Sequence, residues 1–278
     1  MIITVAPTGA EVTREENPKV PYTPTEIAAS ACDAAQAGAS LVHLHAREDD
    51  GTPSARPELF EEAIQKIRSG SDLITMVSTG GAVWMGIEDR TTGLEANPDV
   101  AGVETGSLNF GDEAFVTIRP HGLGIIDRAT KAGIALEVEA FEVGHVHAAV
   151  QMVDSGEMPE PLRMNLVFGV PGGIDASPEA LSAMLRPLPQ GTPWSITCVG
   201  RHQDRMLALG LLFGATGIRV GFEDAVYMRR GVLAESNAEL VRKAVTLVHS
   251  LGREVATPAQ AREILGLPRA PSGSGVTT

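Results

Sequence analysis

Eight short runs of apolar or β-branched residues recur along the chain, and segments with a helical spacing of apolar residues separate them. The runs cover residues 2–6, 40–45, 73–78, 100–105, 134–138, 163–168, 195–199 and 217–221. The helical segments begin with Thr, Ser or Pro signals, as at residues 24–37, 56–68, 177–185 and 201–213. Strands that alternate with helices in this way pair in parallel. The sequence therefore predicts an α/β fold built on a parallel sheet.

Eight strand and helix units in 278 residues fit a (β/α)8 TIM barrel better than an open doubly wound sheet. We expect one catalytic domain over residues 1–267. Residues 268–278 have the Pro, Ser and Gly content of a linker, which predicts a flexible tail. A barrel of this type places its active site where the strands end and the following loops begin. The polar residues at those ends are therefore the candidates for function.

The net charge of −13 argues against binding to nucleic acid or to an anionic membrane, since both require clustered Lys and Arg. No uninterrupted apolar run approaches the roughly 18 residues that a membrane span needs. Cys32 and Cys198 lack the spacing of a disulfide framework or of a thiolate zinc site. We therefore expect a small-molecule partner and a reducing, cytoplasmic setting.

Two histidines lie one residue apart at the end of the second predicted strand. Side chains alternate faces along a strand, so His43 and His45 project to the same side, as two ligands of one metal do. The alternative is that neighbouring groups satisfy both rings at an ordinary strand end. His145 and His147 form a second pair at a predicted helix start, where residues two apart face different directions. We expect packing or capping there rather than joint metal binding.

Acidic, basic and hydroxyl residues occupy the ends of five predicted strands. They are Glu11 after the first, Ser78 and Thr79 after the third, Thr105 and Ser107 after the fourth, Glu137 and Glu139 in the fifth, and Arg219, Glu223 and Asp224 at the eighth. In a closed barrel the eighth strand lies beside the first and near the second. Glu223 is therefore a candidate third ligand beside the two histidines. Glu11 is either an acidic contact in the mouth of the barrel or a solvated loop carboxylate beside Arg14.

Taken together, these segments resemble the β-keto acid cleavage enzyme family. The motifs that carry the resemblance are Pro7-Thr8-Gly9-Ala10-Glu11, Tyr22-Thr23-Pro24-Thr25-Glu26-Ile27, Val42-His43-Leu44-His45-Ala46-Arg47, Asp50-Gly51-Thr52-Pro53-Ser54, Gly106-Ser107-Leu108-Asn109-Phe110, Glu137-Val138-Glu139-Ala140-Phe141, Arg219-Val220-Gly221-Phe222-Glu223-Asp224 and Ser236-Asn237-Ala238-Glu239-Leu240-Val241. They span nearly the whole chain, and their order and spacing are more specific than any single piece. The resemblance implies a TIM barrel that condenses a β-keto acid, such as 3-keto-5-aminohexanoate, with acetyl-CoA to give acetoacetate and a new acyl-CoA.

The resemblance also implies roles for these residues. One divalent cation, usually Zn²⁺, is held by His43, His45 and Glu223 with positions left open, as in catalytic zinc sites. The residues implied for proton abstraction are Arg219 and Asp224, with Glu137 or Glu139 steadying the arginine. The residues implied for substrate binding are Ser78, Thr79, Thr105 and Ser107. The position of Glu11 at the end of the first predicted strand, rather than the resemblance, suggests an acidic contact that favours a positively charged substrate.

Two other functions stay open from the residues alone. A zinc-dependent hydrolase of the amidohydrolase type also binds metal through a His-x-His pair in a barrel, but there the pair lies on the first strand. A non-catalytic metal-binding barrel explains the histidines but not the polar residues at so many other strand ends. The segments 168–173 and 200–203 are candidates for contacts with CoA or simple turns. The family resemblance further suggests a homo-oligomer, commonly a tetramer.

Overall fold

The computed structural model describes residues 1–268, and the predicted tail lies outside this range except for its first residue. The strands are β1 (Ile2–Val5), β2 (Leu41–Leu44), β3 (Ile74–Val77), β4 (Val100–Val103), β5 (Leu108–Phe110), β6 (Glu113–Phe115), β7 (Ala135–Ala140), β8 (Met164–Phe168), β9 (Trp194–Cys198), β10 (Gly217–Val220), β11 (Tyr227–Arg229) and β12 (Val232–Leu233). The α-helices are α1 (Pro24–Ala37), α2 (Pro57–Gly70), α3 (Ile87–Arg90), α4 (Arg119–Lys131), α5 (Val143–Asp154), α6 (Pro178–Leu185), α7 (Gln203–Leu212), α8 (Asn237–Ser250) and α9 (Pro258–Leu265).

Eight strands form a closed barrel in the order β1-β10-β9-β8-β7-β4-β3-β2, and all neighbouring pairs are parallel. All eight predicted strands are present, and their ends differ from the prediction by two residues at most. The predicted TIM barrel is therefore confirmed. The β5–β6 and β11–β12 hairpins extend the loops that follow β4 and β10.

Local signals set the ends of the helices. The Thr23 hydroxyl accepts a hydrogen bond from the Glu26 amide, and the Glu26 carboxylate accepts one from the Thr23 amide. Pro24 occupies the first turn, and Gly38 ends α1 in the left-handed conformation. Such a capping box satisfies amide groups that the first helical turn leaves without partners. Because these signals are local, α1 spans the predicted residues.

Strand alternation divides the apolar residues between two places. Outward side chains, such as Val5, Val42 and Val103, pack beneath the helices in the main core. Inward side chains near the strand starts, such as Ile2 and Leu41, form a smaller cluster with α9. The segment before α9 is tied to the start of β1, since the Ala256 amide donates to the Met1 carbonyl at 2.7 Å. Helix α9 therefore closes the amino-terminal end of the barrel.

The barrel interior above this cluster is polar. The side-chain Nδ2 of Asn165 donates to Glu139 Oε1 at 3.3 Å, and the Thr197 hydroxyl donates to the side-chain Oδ1 of Asn165 at 2.9 Å. These three residues lie on neighbouring strands and are buried. Because buried polar groups need partners, this chain of hydrogen bonds holds Glu139 in one orientation. No helix within residues 1–268 combines the length and apolar character needed to cross a bilayer.

Candidate active site

Three potential metal ligands converge at the carboxyl end of the barrel. The Nε2 atoms of His43 and His45 are 3.3 Å apart, and each lies 3.6 Å from Oε1 of Glu223. Closure of the barrel produces this arrangement, since β10 pairs with β1 and β1 pairs with β2. Two buried atoms of the cluster, His43 Nδ1 and Glu223 Oε2, have no hydrogen-bond partner within residues 1–268. The donor set and the unpaired carboxylate oxygen Oε2 of Glu223 fit a divalent cation.

Two glycines permit the approach of Glu223 to the histidines. Gly9 has a φ of +62°, and a Cβ atom on it would lie 2.5 Å from Cγ of Glu223. Gly221 has a φ of +146°, and a Cβ atom there would collide with the Ala6 carbonyl oxygen. L-residues with side chains avoid these positive φ values. The loops after β1 and β10 can therefore cross closely only because glycine stands at both positions.

The protonation states of His43 and Glu223 suit metal binding. Burial lowers the pKa of His43 well below its usual value, so its imidazole is neutral at neutral pH. Burial opposes ionisation of Glu223, but the charge of the neighbouring Arg219 guanidinium holds the pKa of its carboxyl well below the usual value. Neutral imidazoles and an ionised carboxylate are the forms that bind a cation.

Arg219 is the centre of a buried ion network. Its guanidinium donates two hydrogen bonds to Asp224, at 3.0 and 2.6 Å, one to Glu139 at 3.0 Å and one to Glu223 at 2.8 Å. Burial lowers the pKa of Arg219, but the surrounding carboxylates outweigh it and hold that pKa well above the usual value. Burial raises the pKa of Asp224 and raises that of Glu139 to about 8. Arg219 therefore stays charged and holds a carboxyl group of raised basicity in the cavity.

Ser78 and Glu104 form the opposite side of the cavity, near β3 and β4. The Ser78 hydroxyl accepts a hydrogen bond from the Gly80 amide at 3.0 Å. One oxygen of Glu104 accepts from Arg90 at 2.9 Å, and both residues of this ion pair are buried. Glu104 is not among the site residues that the sequence predicts. The available signal was its inward register, two residues beyond Gly102 on the same face.

Three predicted substrate ligands have hydroxyls engaged by the backbone. The Thr79 hydroxyl donates to the Gly102 carbonyl at 2.7 Å, and the Thr105 hydroxyl donates to the His145 carbonyl at 2.7 Å. The Ser107 hydroxyl accepts a hydrogen bond from the Thr117 amide at 2.9 Å. None of the three lines the cavity that contains Ser78 and Arg219. Their hydroxyls hold loops in place, and direct contact with a substrate stays a prediction for them.

The second histidine pair lies on α5, as the sequence predicts. His145 is buried, its Nδ1 accepts from the Phe141 amide at 3.3 Å, and its Nε2 lies 3.2 Å from the Ser107 carbonyl oxygen. His147 is exposed. Because the two rings face different environments, they do not form a joint metal site.

Glu139 and Glu137 both point into the barrel, but only Glu139 contacts Arg219. Glu137 lies one layer closer to the amino-terminal end, where it lines a small cavity with Thr4 and Trp194. It forms no salt bridge within the described residues. Since residues two apart share a face, the sequence left both glutamates as candidates, and the structure assigns the contact to Glu139.

Replacing Glu137 with Gln should stabilise the protein at neutral and alkaline pH. Burial raises the folded-state pKa of Glu137 from 4.5 to about 7. Between these values the folded chain binds more protons than the unfolded chain, so this group makes stability fall as the pH rises. We expect Glu137→Gln to unfold with about 3 kcal/mol more free energy than wild type at pH 8 and with little difference near pH 4. Urea unfolding across this range measures the effect.

Glu58→Gln, at an exposed position on α2, is the matched control and should follow the wild-type curve at every pH. If the free energies of unfolding of Glu137→Gln and wild type differed by the same amount at every pH, the raised pKa of Glu137 in the folded state would be contradicted.

The cavity at the carboxyl end has two contrasting halves. It encloses about 870 Å³, including its open mouth. The polar half is lined by Glu11, His45, Ser78, Glu104, Glu139, Arg219, Glu223 and Asp224. The other half is apolar and comes from the β5–β6 hairpin and from the loops after β7, β8 and β9. The site therefore has room for a charged group beside a long apolar contact.

Imidazoles, carboxylates and an arginine gathered at the carboxyl end of a closed parallel barrel define this protein as a TIM-barrel enzyme. Comparison with known families gives the particular type. The sequence model of the family described as beta-keto acid cleavage enzyme matches residues 1–267. The chain belongs to the β-keto acid cleavage enzyme family, and the resemblance seen in the motifs is confirmed.

Characterised relatives support this assignment over almost their full length. The chain is 45% identical over 273 residues to the 3-keto-5-aminohexanoate cleavage enzyme of Fusobacterium nucleatum, covering 96% of this chain and 98% of the relative. It is 38% identical to the 3-oxoadipate:acetyl-CoA acetyltransferase of Cupriavidus necator, covering 96% and 95%. The solved structure of ObcA with a C4-CoA adduct and oxalate superposes with a TM-score of 0.78 at 20% identity, covering 90% of this chain and 68% of ObcA. That last likeness supports the fold alone.

Proposed function

We propose that this β-keto acid cleavage enzyme exchanges acyl groups between acetyl-CoA and a β-keto acid that bears a positive group. The observation that carries the proposal is the buried pair of Arg219 and Asp224, which lines the same cavity as His45 and Glu223. A base, a fixed cation and a candidate metal site within one cavity are the parts that carbon–carbon bond exchange needs. The family assignment favours this function over hydrolysis or simple metal binding.

The atom balance of the exchange defines the steps. The β-keto acid contributes its carboxymethylene unit to acetoacetate, and its acyl part leaves as the new acyl-CoA. A proton must therefore leave the carbon between the keto group and the carboxylate. That carbon forms a bond to the thioester carbonyl carbon, and the thioester C–S bond breaks to release the CoA thiolate. The thiolate then adds to the keto carbon, and the original carbon–carbon bond breaks to give the new thioester. The carbon released in this cleavage takes up a proton to give acetoacetate.

Asp224 is the residue we assign to proton removal. Its carboxyl is buried, and burial raises its pKa, which increases its basicity. Arg219 holds both of its oxygens, so the carboxylate keeps one orientation. Glu139 in turn fixes Arg219 from the opposite side. Arg219 and Glu139 are then positioning residues for the base, and Ser78 in the opposite wall is a hydrogen-bonding partner for the substrate carboxylate.

We assign the metal site to His43, His45 and Glu223, with Zn²⁺ as the ion that this donor set favours. The support is the convergence of three ligand atoms and the buried Oε2 of Glu223, which has no hydrogen-bond partner within residues 1–268. A divalent cation bound there supplies Lewis acidity toward a carbonyl oxygen of the substrate. The protein holds the three ligands on two adjoining loops and one strand end. Homo-oligomer formation and a cytoplasmic location stay predictions from the resemblance.

Glu11 is the residue we assign to substrate selection. It lines the cavity mouth, and no salt bridge joins it to a cation within residues 1–268. The neighbouring Arg14 instead pairs with Glu26 at 2.8 Å. A free carboxylate at the mouth favours a substrate with an ammonium group. The substrate named for the Fusobacterium nucleatum relative carries an amino group, which agrees with this assignment.

The test of the function compares two β-keto acids, one with an ammonium group and one neutral, with and without acetyl-CoA. We expect wild-type enzyme to consume the ammonium substrate only when acetyl-CoA is present and to release acetoacetate. Glu11→Gln should lower kcat/KM for the ammonium substrate by about 10- to 100-fold, because a charge-assisted contact is lost. The neutral substrate should change by less than about threefold.

Glu15→Gln, exposed in the same loop, is the control and should leave both substrates unchanged. Hydrolysis of the keto acid by wild type without CoA would contradict the proposed acyl exchange. An equal loss of kcat/KM for both substrates in Glu11→Gln would contradict only the role of Glu11 in substrate selection.

A further inference from the structure

The apolar half of the cavity has no task in binding a small charged keto acid. We call it the apolar wall and define it by Leu108, Phe110, Phe115, Val167, Val170 and Val199. These residues form a hydrophobic cluster separate from the main core and from the cluster beneath the barrel. A contiguous apolar surface inside an open cavity marks a binding site for a ligand with apolar length.

The apolar wall is held in place by the loops that build it. The Gly111 amide of the β5–β6 hairpin donates to the Pro171 carbonyl of the loop after β8 at 2.7 Å. Arg90 anchors the base of the hairpin, because its guanidinium donates to the Val116 carbonyl at 3.1 Å and lies 4.5 Å from the centre of the Phe115 ring. These contacts within the protein fix the wall, and a fixed binding surface reduces the entropy cost of binding.

The rim of the cavity differs in charge from one side to the other. The tip of the β5–β6 hairpin carries the exposed acids Asp112 and Glu113. The loop after β9 instead continues from Val199 of the wall to the exposed Arg201, which forms no salt bridge within residues 1–268. The Gly200 amide of this loop donates to the Asp224 carbonyl at 2.8 Å. The cationic side of the rim is therefore the side that adjoins the proposed base.

We propose that the apolar wall binds the pantetheine arm of acetyl-CoA and that Arg201 contacts the phosphates of its nucleotide. This inference rests on the proposed function and assigns a binding position to its co-substrate, acetyl-CoA. The arm then enters along Val199, and the thioester lies beside Asp224. The anionic nucleotide of acetyl-CoA is attracted to Arg201 and repelled by the acidic tip of the β5–β6 hairpin. These charges therefore fix the side of the rim from which acetyl-CoA enters the cavity.

Two thioesters distinguish the parts of this site. S-acetylpantetheine has the same arm and acetyl group as acetyl-CoA but lacks the nucleotide. Arg201→Ala should raise KM for acetyl-CoA by about 5- to 10-fold and leave KM for S-acetylpantetheine unchanged. Phe110→Ala, at a half-buried position of the wall, should raise KM for both thioesters by about 5- to 10-fold. Neither variant should change KM for the keto acid by more than about twofold.

Arg186→Ala is the matched control, because this exposed arginine follows α6 at the amino-terminal end of the barrel. Thermal unfolding checks that each variant is folded. An equal effect of Arg201→Ala on both thioesters would overturn the nucleotide contact. An effect of Phe110→Ala on the keto acid instead of the thioesters would overturn the wall assignment. Absence of any acetyl-CoA-dependent turnover in wild type would instead be a failure of the proposed function.

Discussion

His43→Ala and His45→Ala should each lower kcat/KM by about 1000-fold or more and should each purify with far less than one equivalent of zinc. Either change removes one of three converging ligands, and two remaining ligands hold a catalytic ion poorly. The loss should appear in metal content and in turnover together. Elemental analysis and steady-state kinetics on the same preparation measure both quantities.

His147→Ala is the matched control, since this histidine is exposed on α5 and distant in sequence from the cluster. It should keep the metal content and activity of wild type. If both His43→Ala and His45→Ala retained one equivalent of zinc, the proposed set of metal ligands would be contradicted. Chelation of the wild-type enzyme followed by addition of Zn²⁺ should restore activity there but not in the two alanine variants.

Arg219→Met should lower the free energy of unfolding by about 3–5 kcal/mol and abolish turnover. The substitution leaves Glu139, Glu223 and Asp224 without their shared cation, and uncompensated buried carboxylates are costly. Without the guanidinium the carboxyls of Glu139 and Asp224 bind protons more readily in the folded state. The stability deficit should therefore be larger at pH 8 than at pH 5, because ionisation above their pKa values is what destabilises the variant.

Arg219→Lys separates charge from geometry. It keeps the cation but cannot bridge three carboxylates with a planar fork, so most of the stability should return while activity stays low. Urea unfolding at the two pH values and kcat/KM measure these effects. A stability deficit of Arg219→Met that is independent of pH would show that the carboxylates do not depend on Arg219 as argued.

Much of the fold follows from local sequence patterns, namely the spacing of apolar residues and the capping residues of helices. The eight barrel strands are short β-branched or apolar runs, and their extents agree closely with the prediction. The start and end of α1 agree because the capping residues Thr23, Glu26 and Gly38 act within one helical turn. The placement of His145 and His147 on separate faces of α5 likewise follows from helical geometry.

The interior network was harder to predict, because alternation specifies a face but not a partner. Glu137 and Glu139 share the inward face of β7, and only the stagger between strands places Glu139 beside Arg219. The same limit applies to Glu104, whose pairing with Arg90 joins two segments that no local pattern links. Thr79 follows an inward residue and therefore points away from the cavity.

The sequence by itself determined the parallel barrel, the shared face of His43 and His45, and the family, because each depends on short-range periodicity or on the order of motifs. Only the tertiary structure decided that Glu223 reaches both imidazoles and that one half of the cavity is an apolar wall. These features depend on contacts between loops far apart in the chain. Their distances follow from barrel closure and from the close crossing that Gly9 and Gly221 allow.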